Sequence, residues 1–170
     1  KGPYYAGVGD FSGAGSVDLR TRTRAEGQRL KLTAGGDDYY RALFYGGNEV
    51  GEGDLVYALE SQTYNGPWED VSEDVEKYNG LLRYGWNQGD TRYTTTVMGY
   101  SNRWNSADQI PRRAVRSGLI DELGSLDEDA GGESERYSLS LSWSNPRQQG
   151  TIYAIDYGLN LWSNFTYFLD

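Results

Sequence analysis

The eight residues Tyr137-Ser138-Leu139-Ser140-Leu141-Ser142-Trp143-Ser144 alternate without a break, with Tyr, Leu, Leu and Trp on one side and four serines on the other. A period of two sends successive side chains to opposite faces of a strand, whereas a helix needs apolar residues three and four apart. The stretch reads as a strand with one apolar and one polar face. The alternation resumes at Ile152. Tyr153, Ile155, Tyr157, Leu159 and Leu161 lie on one side, continuing through Ser163 to Phe165, Tyr167 and Leu169. Asp156, Gly158, Asn160, Asn164 and Thr166 lie on the other, together with Trp162 and Phe168. About 18 alternating residues exceed the usual strand of about 3–10.

Toward the N-terminus, residues 29–35, 38–45, 55–64, 76–86 and 92–102 repeat the pattern. Leu30 and Leu32 oppose Arg29, Lys31 and Thr33, and Leu55, Tyr57 and Leu59 oppose Val56, Ala58, Glu60 and Gln62. Seven strands are expected from residue 28 onward, with a shorter one over 16–24. The fold class is all-β and antiparallel. Connection lengths decide between its variants. The turn at 35–37 is tight, 46–53 is moderate, 65–74 is longer, 88–90 is short, 103–133 is very long and 145–150 is short. Connections of about 30 residues are rare in compact soluble domains. From residue 46 onward short and long links take turns, as in outer-membrane barrels with short periplasmic turns and long extracellular loops. A transmembrane β-barrel wall is therefore expected rather than a soluble meander. By parity 65–74 and 103–133 are extracellular, and 16–24 sits at the periplasmic end, outside the wall.

Composition narrows the chemistry. The 170 residues hold 16 Lys+Arg against 25 Asp+Glu, a net charge of −9, with no His and no Cys. A Ser–His–Asp triad, the common zinc sites and a disulfide framework are thereby excluded. Nucleic acid is not an expected partner, because phosphate neutralisation needs clustered cations. The apolar mass is aromatic, with 15 Tyr and 5 Trp, and 23 Gly punctuate it. The longest apolar run, Leu55-Val56-Tyr57-Ala58-Leu59, falls far short of the roughly 20 residues of a transmembrane helix. The chain opens Lys1-Gly2-Pro3-Tyr4-Tyr5, without the apolar stretch of a signal peptide. No nucleophile–base pair stands out, and no catalytic residue is expected.

Several segments, in order, resemble one family. Gly2-Pro3-Tyr4-Tyr5-Ala6, Gly9-Asp10-Phe11 and the run from Gly13 through Ser16-Val17-Asp18-Leu19-Arg20 to Arg22 look like the end of the plug in TonB-dependent outer-membrane receptors. Gln109-Ile110-Pro111-Arg112-Arg113-Ala114-Val115, Gly124-Ser125-Leu126-Asp127 and the closing Ser163-Asn164-Phe165-Thr166-Tyr167 fit as well. The resemblance implies residues 1–27 as the end of a plug domain and the plug–barrel junction. Residues 28–170 are then the N-terminal part of the β-barrel, about seven of an expected 22 strands. Seven strands cannot close, so a larger chain is implied. The implied activity is uptake of a scarce nutrient, a ferric siderophore or similar metal complex, across the outer membrane of a Gram-negative bacterium. The implied partners are a periplasmic TonB-type energy-coupling protein, outer-membrane lipid and lipopolysaccharide, and a small-molecule ligand. The alternative is a soluble all-β, lectin-like carbohydrate-binding module.

The candidate ligand-binding residues are Trp68, after Gly66-Pro67, and Trp104 with Arg112, Arg113 and Arg116. Guanidinium pairs well with carboxylate and catecholate-like oxygen. The acidic run Asp127, Glu128, Asp129, Glu133, Glu135 lacks the spacing of an EF-hand, and neither metal nor cofactor is expected. Opposite charges in the two halves of 103–133 are expected to fold that loop on itself around Leu119, Ile120 and Leu123. Arg29, Lys31, Glu60, Gln62, Asp156 and Asn160 are expected to line the lumen, and Trp86, Trp104, Trp143 and Tyr167 to anchor at the membrane interfaces.

Strict alternation predicts that Leu139 and Leu141 face lipid and Ser138, Ser140 and Ser142 the lumen. A charge at Leu141 is expected to cost about 2–4 kcal/mol of stability in a bilayer, and the same charge at Ser140 to be tolerated. Denaturant titration of the two variants in lipid vesicles reads the difference, and equal damage at both sites contradicts the assignment of faces.

Overall fold

The computed structural model describes residues 21–107 and 109–163. Most of the proposed plug segment, and residues 164–169 of the expected last strand, lie outside the described residues. The rest contains β1 (Gln28–Ala34), β2 (Tyr40–Val50), β3 (Gly53–Tyr64), β4 (Val75–Gln88), β5 (Thr91–Asn105), the short helix α1 (Arg112–Arg116), β6 (Gly131–Ser144) and β7 (Gln149–Trp162). All seven strands form one sheet in chain order, each antiparallel to the next, with β1 and β7 as its edges. The expected all-β class and the seven strands from residue 28 are both present.

Several boundaries differ: the connection expected over 103–133 narrows to 106–130, and β2 is the informative case. The glycines at 46 and 47 read as part of a connection, yet they lie inside β2, and only Gly51 and Glu52 link β2 to β3. The incoming chain passes close over them. A Cβ on Gly46 would sit 2.7 Å from the Gly27 carbonyl oxygen, and one on Gly47 2.9 Å from that of Ala25. Glycine here serves a close backbone approach rather than a turn.

Residues opposite one another across the ladders share a side. One side carries Leu30, Leu32, Tyr40, Phe44, Leu55, Tyr57, Leu59, Tyr78, Leu82, Tyr84, Trp86, Tyr93, Val97, Tyr137, Leu139, Leu141 and Trp143. The other carries Arg29, Lys31, Arg41, Asp54, Glu60, Gln62, Lys77, Asn79, Arg83, Arg92 and the serines of β6, with Leu43, Leu81 and Met98 among them, while Glu76, Arg103, Glu133 and Glu135 end the apolar side near the long connections. Shelter is the reverse of what water would select. Leu82 is 48% exposed while its neighbour Arg83 is 6% exposed. Among the described residues the buried apolar side chains are only Val56, Val71, Ala114 and Ala130, and no large side chain is fully buried. Among the described residues there is no second layer on the apolar side. Over β2 to β4 the polar side is the more sheltered one.

β7 departs from this division. Ser144 opposite Gln149 fixes its parity, so Tyr153, Ile155, Tyr157, Leu159 and Leu161 stand on the polar side, beside Ser140 and Arg136. Asp156 and Asn160, expected in the lumen, stand on the apolar side with Ile152 and Ala154. The hairpin link, not the alternation within β7, sets the side, because a one-residue shift of register exchanges the two faces.

Substituting Gly47→Val forces the crossing segment off the sheet and is expected to cost about 1–3 kcal/mol. Gly36→Ala, where nothing lies within 4 Å of the new methyl, leaves stability unchanged. Thermal unfolding of the two variants is the measurement.

Candidate functional site

Three connections meet at one end of the sheet: 35–39, 65–74 and 106–130. They are joined by backbone polar groups that no ladder satisfies. The Asn65 amide donates to the Asp37 carbonyl (2.9 Å), and the Asn65 side chain to the Asp38 carboxylate (2.8 Å). Asp37 and Asp38 both hold φ of 53°, a conformation that Asp tolerates better than most residues. The Glu73 amide closes 65–74 on the Asn65 carbonyl (2.8 Å), and Asn105 at the end of β5 donates to the Glu73 carbonyl (2.7 Å).

The long connection then folds onto its neighbour. The Glu69 amide donates to the Leu123 carbonyl (3.0 Å), and the Asp70 carboxylate accepts from the Ser125 amide (2.9 Å). Gly124 permits this approach, since a Cβ there would lie 2.8 Å from the Asp70 carboxylate. The expected self-pairing of the loop is not the device used. Among the described residues no ion pair lies within it, and Leu119 is 75% exposed rather than part of a satellite core. Val71, Ala114 and Ala130 are the apolar side chains buried there. The fit is made by small side chains because a loop of this size encloses too little volume for leucines.

The five candidate residues separate into three places. Arg112, Arg113 and Arg116 share α1, which is held by buried Ala114 and closed by Ser117, whose hydroxyl donates to the Ala114 carbonyl (2.9 Å). All three guanidiniums are exposed, and none pairs with a carboxylate among the described residues. Trp68 is half-buried in 65–74. Its indole N–H donates to Glu73 (2.6 Å), whose side chain crosses Gly66 to reach it. Trp104 lies apart, on the polar side of β5. Its ring covers Gly132, where a Cβ would come within 2.6 Å of it. It is neither a loop residue nor an interface anchor. Trp86 and Trp143 do share one row with Tyr93 on the apolar side. Tyr84 stacks on Trp86 at 5.5 Å, and Trp86 on Tyr93 at 5.4 Å. Tyr167 lies outside the described residues.

The sequence reading passed over Asp70, Glu73, Asn65 and Asn105, which tie the connections together. Their signal was present in composition. Asn, Asp and Ser concentrate where side chains must satisfy loop backbone.

The charge of this end is extreme. The three connections contain twelve Asp and Glu against three Arg, so they hold the whole net charge of −9, and the rest of the chain balances. On the polar side of the sheet one cluster of charges is paired instead. Glu60 accepts from Arg41 and from Asn79 (2.9 Å), with the Lys77 ammonium at 3.5 Å. A carboxylate so occupied is a tie between strands, not a free acid or base. At the opposite end of the sheet Arg24 bonds Asp54 (2.7 Å) and Glu49 (3.1 Å). The hydrogen bond and charge of Asp54, with the charge of Glu49, push the Arg24 guanidinium further above its already high value.

The chain matches no known protein family, no curated protein and no solved structure.

Replacing Asp70 by Ala removes the acceptor of the Ser125 amide and unties the two loops. Proteolytic cleavage within 106–130 is expected to rise several-fold while the sheet stays intact. Mass analysis of fragments after limited digestion measures it, and an unchanged rate would mean that the Glu69–Leu123 bond suffices.

Proposed function

We propose that the chain is a wall segment of a TonB-dependent outer-membrane receptor, with residues 1–27 the end of its plug and 28–170 the first strands of its barrel. The receptor takes up a scarce nutrient, a ferric siderophore or similar metal complex, across the outer membrane of a Gram-negative bacterium. The observation that carries this reading is the inverted shelter of the sheet, with leucines open and charges enclosed. In water that arrangement forfeits the main driving force of folding. Against hydrocarbon it is the stable one, with apolar residues outward and polar residues toward a lumen.

Three features support it. The strands β4 to β7 have 14–15 residues. At about 3.3 Å each they are about 46–50 Å long, and tilted by about 40° they rise about 35–38 Å, enough for a hydrocarbon core of about 30 Å. The apolar band also crosses the ladder rows obliquely. The row of Leu32 leads through Ser61 and Tyr78 to Ser101, Glu135 and Gly158, whereas the row of Leu141 leads back through Tyr84 and Leu55 to Asn48. Strands tilted against a flat slab present their apolar residues in this way. The stacked Tyr84, Trp86 and Tyr93 sit at the short-turn end of the band, where an interfacial girdle belongs.

The lumen reading rests on the polar side. Arg41, Glu60 and Lys77 are tied to one another there, and that side carries the crossing segment before β1, as a filled barrel requires. The energy-coupling protein acts from the periplasm, through residues beyond these strands, and lipid and lipopolysaccharide surround the outer side. The loop end captures the ligand. Its charge of −9 repels an anionic complex at long range and favours one that is neutral or cationic overall. The oxygen donors of such a complex meet Arg112, Arg113 and Arg116 at close range, with Trp68 alongside. The barrel wall performs no catalysis. A soluble lectin-like module would cover its apolar side with a second layer, and among the described residues none is there.

Deleting residues 111–128 from the full receptor is expected to leave assembly intact and lower ligand affinity at least tenfold, about 1.4 kcal/mol. Binding of radiolabelled ferric complexes to whole cells measures it, and unchanged affinity leaves the loop as a shield. A receptor carrying its native termini that is monodisperse without detergent overturns the membrane reading itself.

A further inference from the structure

Glu73 is fixed at both of its backbone groups. Its amide donates to the Asn65 carbonyl (2.8 Å), and its carbonyl accepts from the Asn105 amide at the end of β5 (2.7 Å). Only its side chain is left to turn. That side chain crosses Gly66, where φ is 74° and a Cβ would lie 2.5 Å from the Glu73 Cγ. The reach needs a residue without a side chain at 66. Beyond Gly66 the Glu73 carboxylate accepts the Trp68 indole N–H at 2.6 Å.

The indole N–H is the one polar group of a tryptophan side chain. With it committed to Glu73, Trp68 has no hydrogen bond to give a ligand, and the open part of the ring offers carbon surface alone. The ring also stands at the seam between two connections. The next residue, Glu69, donates its amide to the Leu123 carbonyl of 106–130 (3.0 Å). An aromatic ring in that state recognises another flat ring by stacking. A ring free to turn must give up that freedom on binding, whereas one held beforehand has already done so.

We propose that Glu73 is a positioning residue that presets the Trp68 ring, so that the loop end selects metal complexes carrying an aromatic ring over those without one. Glu73 acts here as a hydrogen-bond acceptor, not as a charge. Its part in ligand choice rests on the uptake reading; its hold on the ring does not.

Two ferric complexes of equal charge separate the effects. Ferric tris(benzohydroxamate) and ferric tris(acetohydroxamate) are both neutral and bind iron through the same oxygens, and only the first carries rings. The full receptor is expected to bind the first about two- to tenfold more tightly. Glu73→Ala and Trp68→Ala are expected to abolish that preference. Glu73→Gln, which keeps an acceptor oxygen and removes the charge, is expected to retain it. The fluorine resonance of 5-fluorotryptophan at Trp68, assigned by Trp68→Phe, is expected to move in Glu73→Ala before any ligand is added, and to stay close to its place in Glu73→Gln. Equal affinity for the two complexes overturns the selection while the uptake reading stands. Binding of neither complex overturns the uptake reading and the selection with it. A Trp68 resonance unchanged in Glu73→Ala, or a preference lost in Glu73→Gln as fully as in Glu73→Ala, overturns the positioning role.

Discussion

Everything in this fold depends on a one-layer sheet having something other than water against its leucines. The side bearing Leu30, Leu59, Leu82, Leu139 and Leu141 carries no helix and no second sheet among the described residues. Each such side chain gains about 1.5–3 kcal/mol on leaving water completely, so the unmet gain over the whole side is comparable with the net stability of a domain. On the uptake reading proposed above, hydrocarbon supplies that environment at no cost in ordering a protein layer, and the long strands, the oblique band and the aromatic row fit the same requirement.

Charge is distributed as that requirement dictates. On the polar side, Arg41, Glu60, Lys77 and Asn79 bind strands β2, β3 and β4 together, and Arg24 and Asp54 bind the crossing segment to β3. The ties at Glu60 are sheltered, so they outlast the screening that weakens surface pairs. The excess charge is expelled to the three connections at one end, where carboxylates can stay hydrated. Some also satisfy loop backbone there, as Asp38 does for Asn65 and Asp70 for Ser125. Hydrogen bonds between loops hold this end in shape.

The incoming segment links the two ends of this logic. Arg83, the one buried charged side chain among the described residues, bonds the Thr23 carbonyl rather than a carboxylate. A guanidinium committed to a backbone group holds a chain wherever that chain's side chains vary. Gly46 and Gly47 serve the same crossing by giving it room. The polar side of β2 to β4 is thus a surface in contact with the chain that precedes β1.

The sequence by itself determined the class, the number of strands and most of their limits. A period of two leaves no other solution for residues 137–144, and Asn, Asp and Gly mark the turns. It also determined which connections are long, and that α1's arginines stand together. Only the tertiary structure decided which side each strand shows. Alternation fixes sides within a strand but not between strands, and the link from Ser144 to Gln149 set the apolar residues of β7 opposite those of β6. It decided as well that Gly46 and Gly47 belong to β2, that Trp104 covers Gly132, and that the long loop leans on Asp70 rather than on its own charges. Each of these depends on a partner distant in sequence, and no local pattern records where that partner lies.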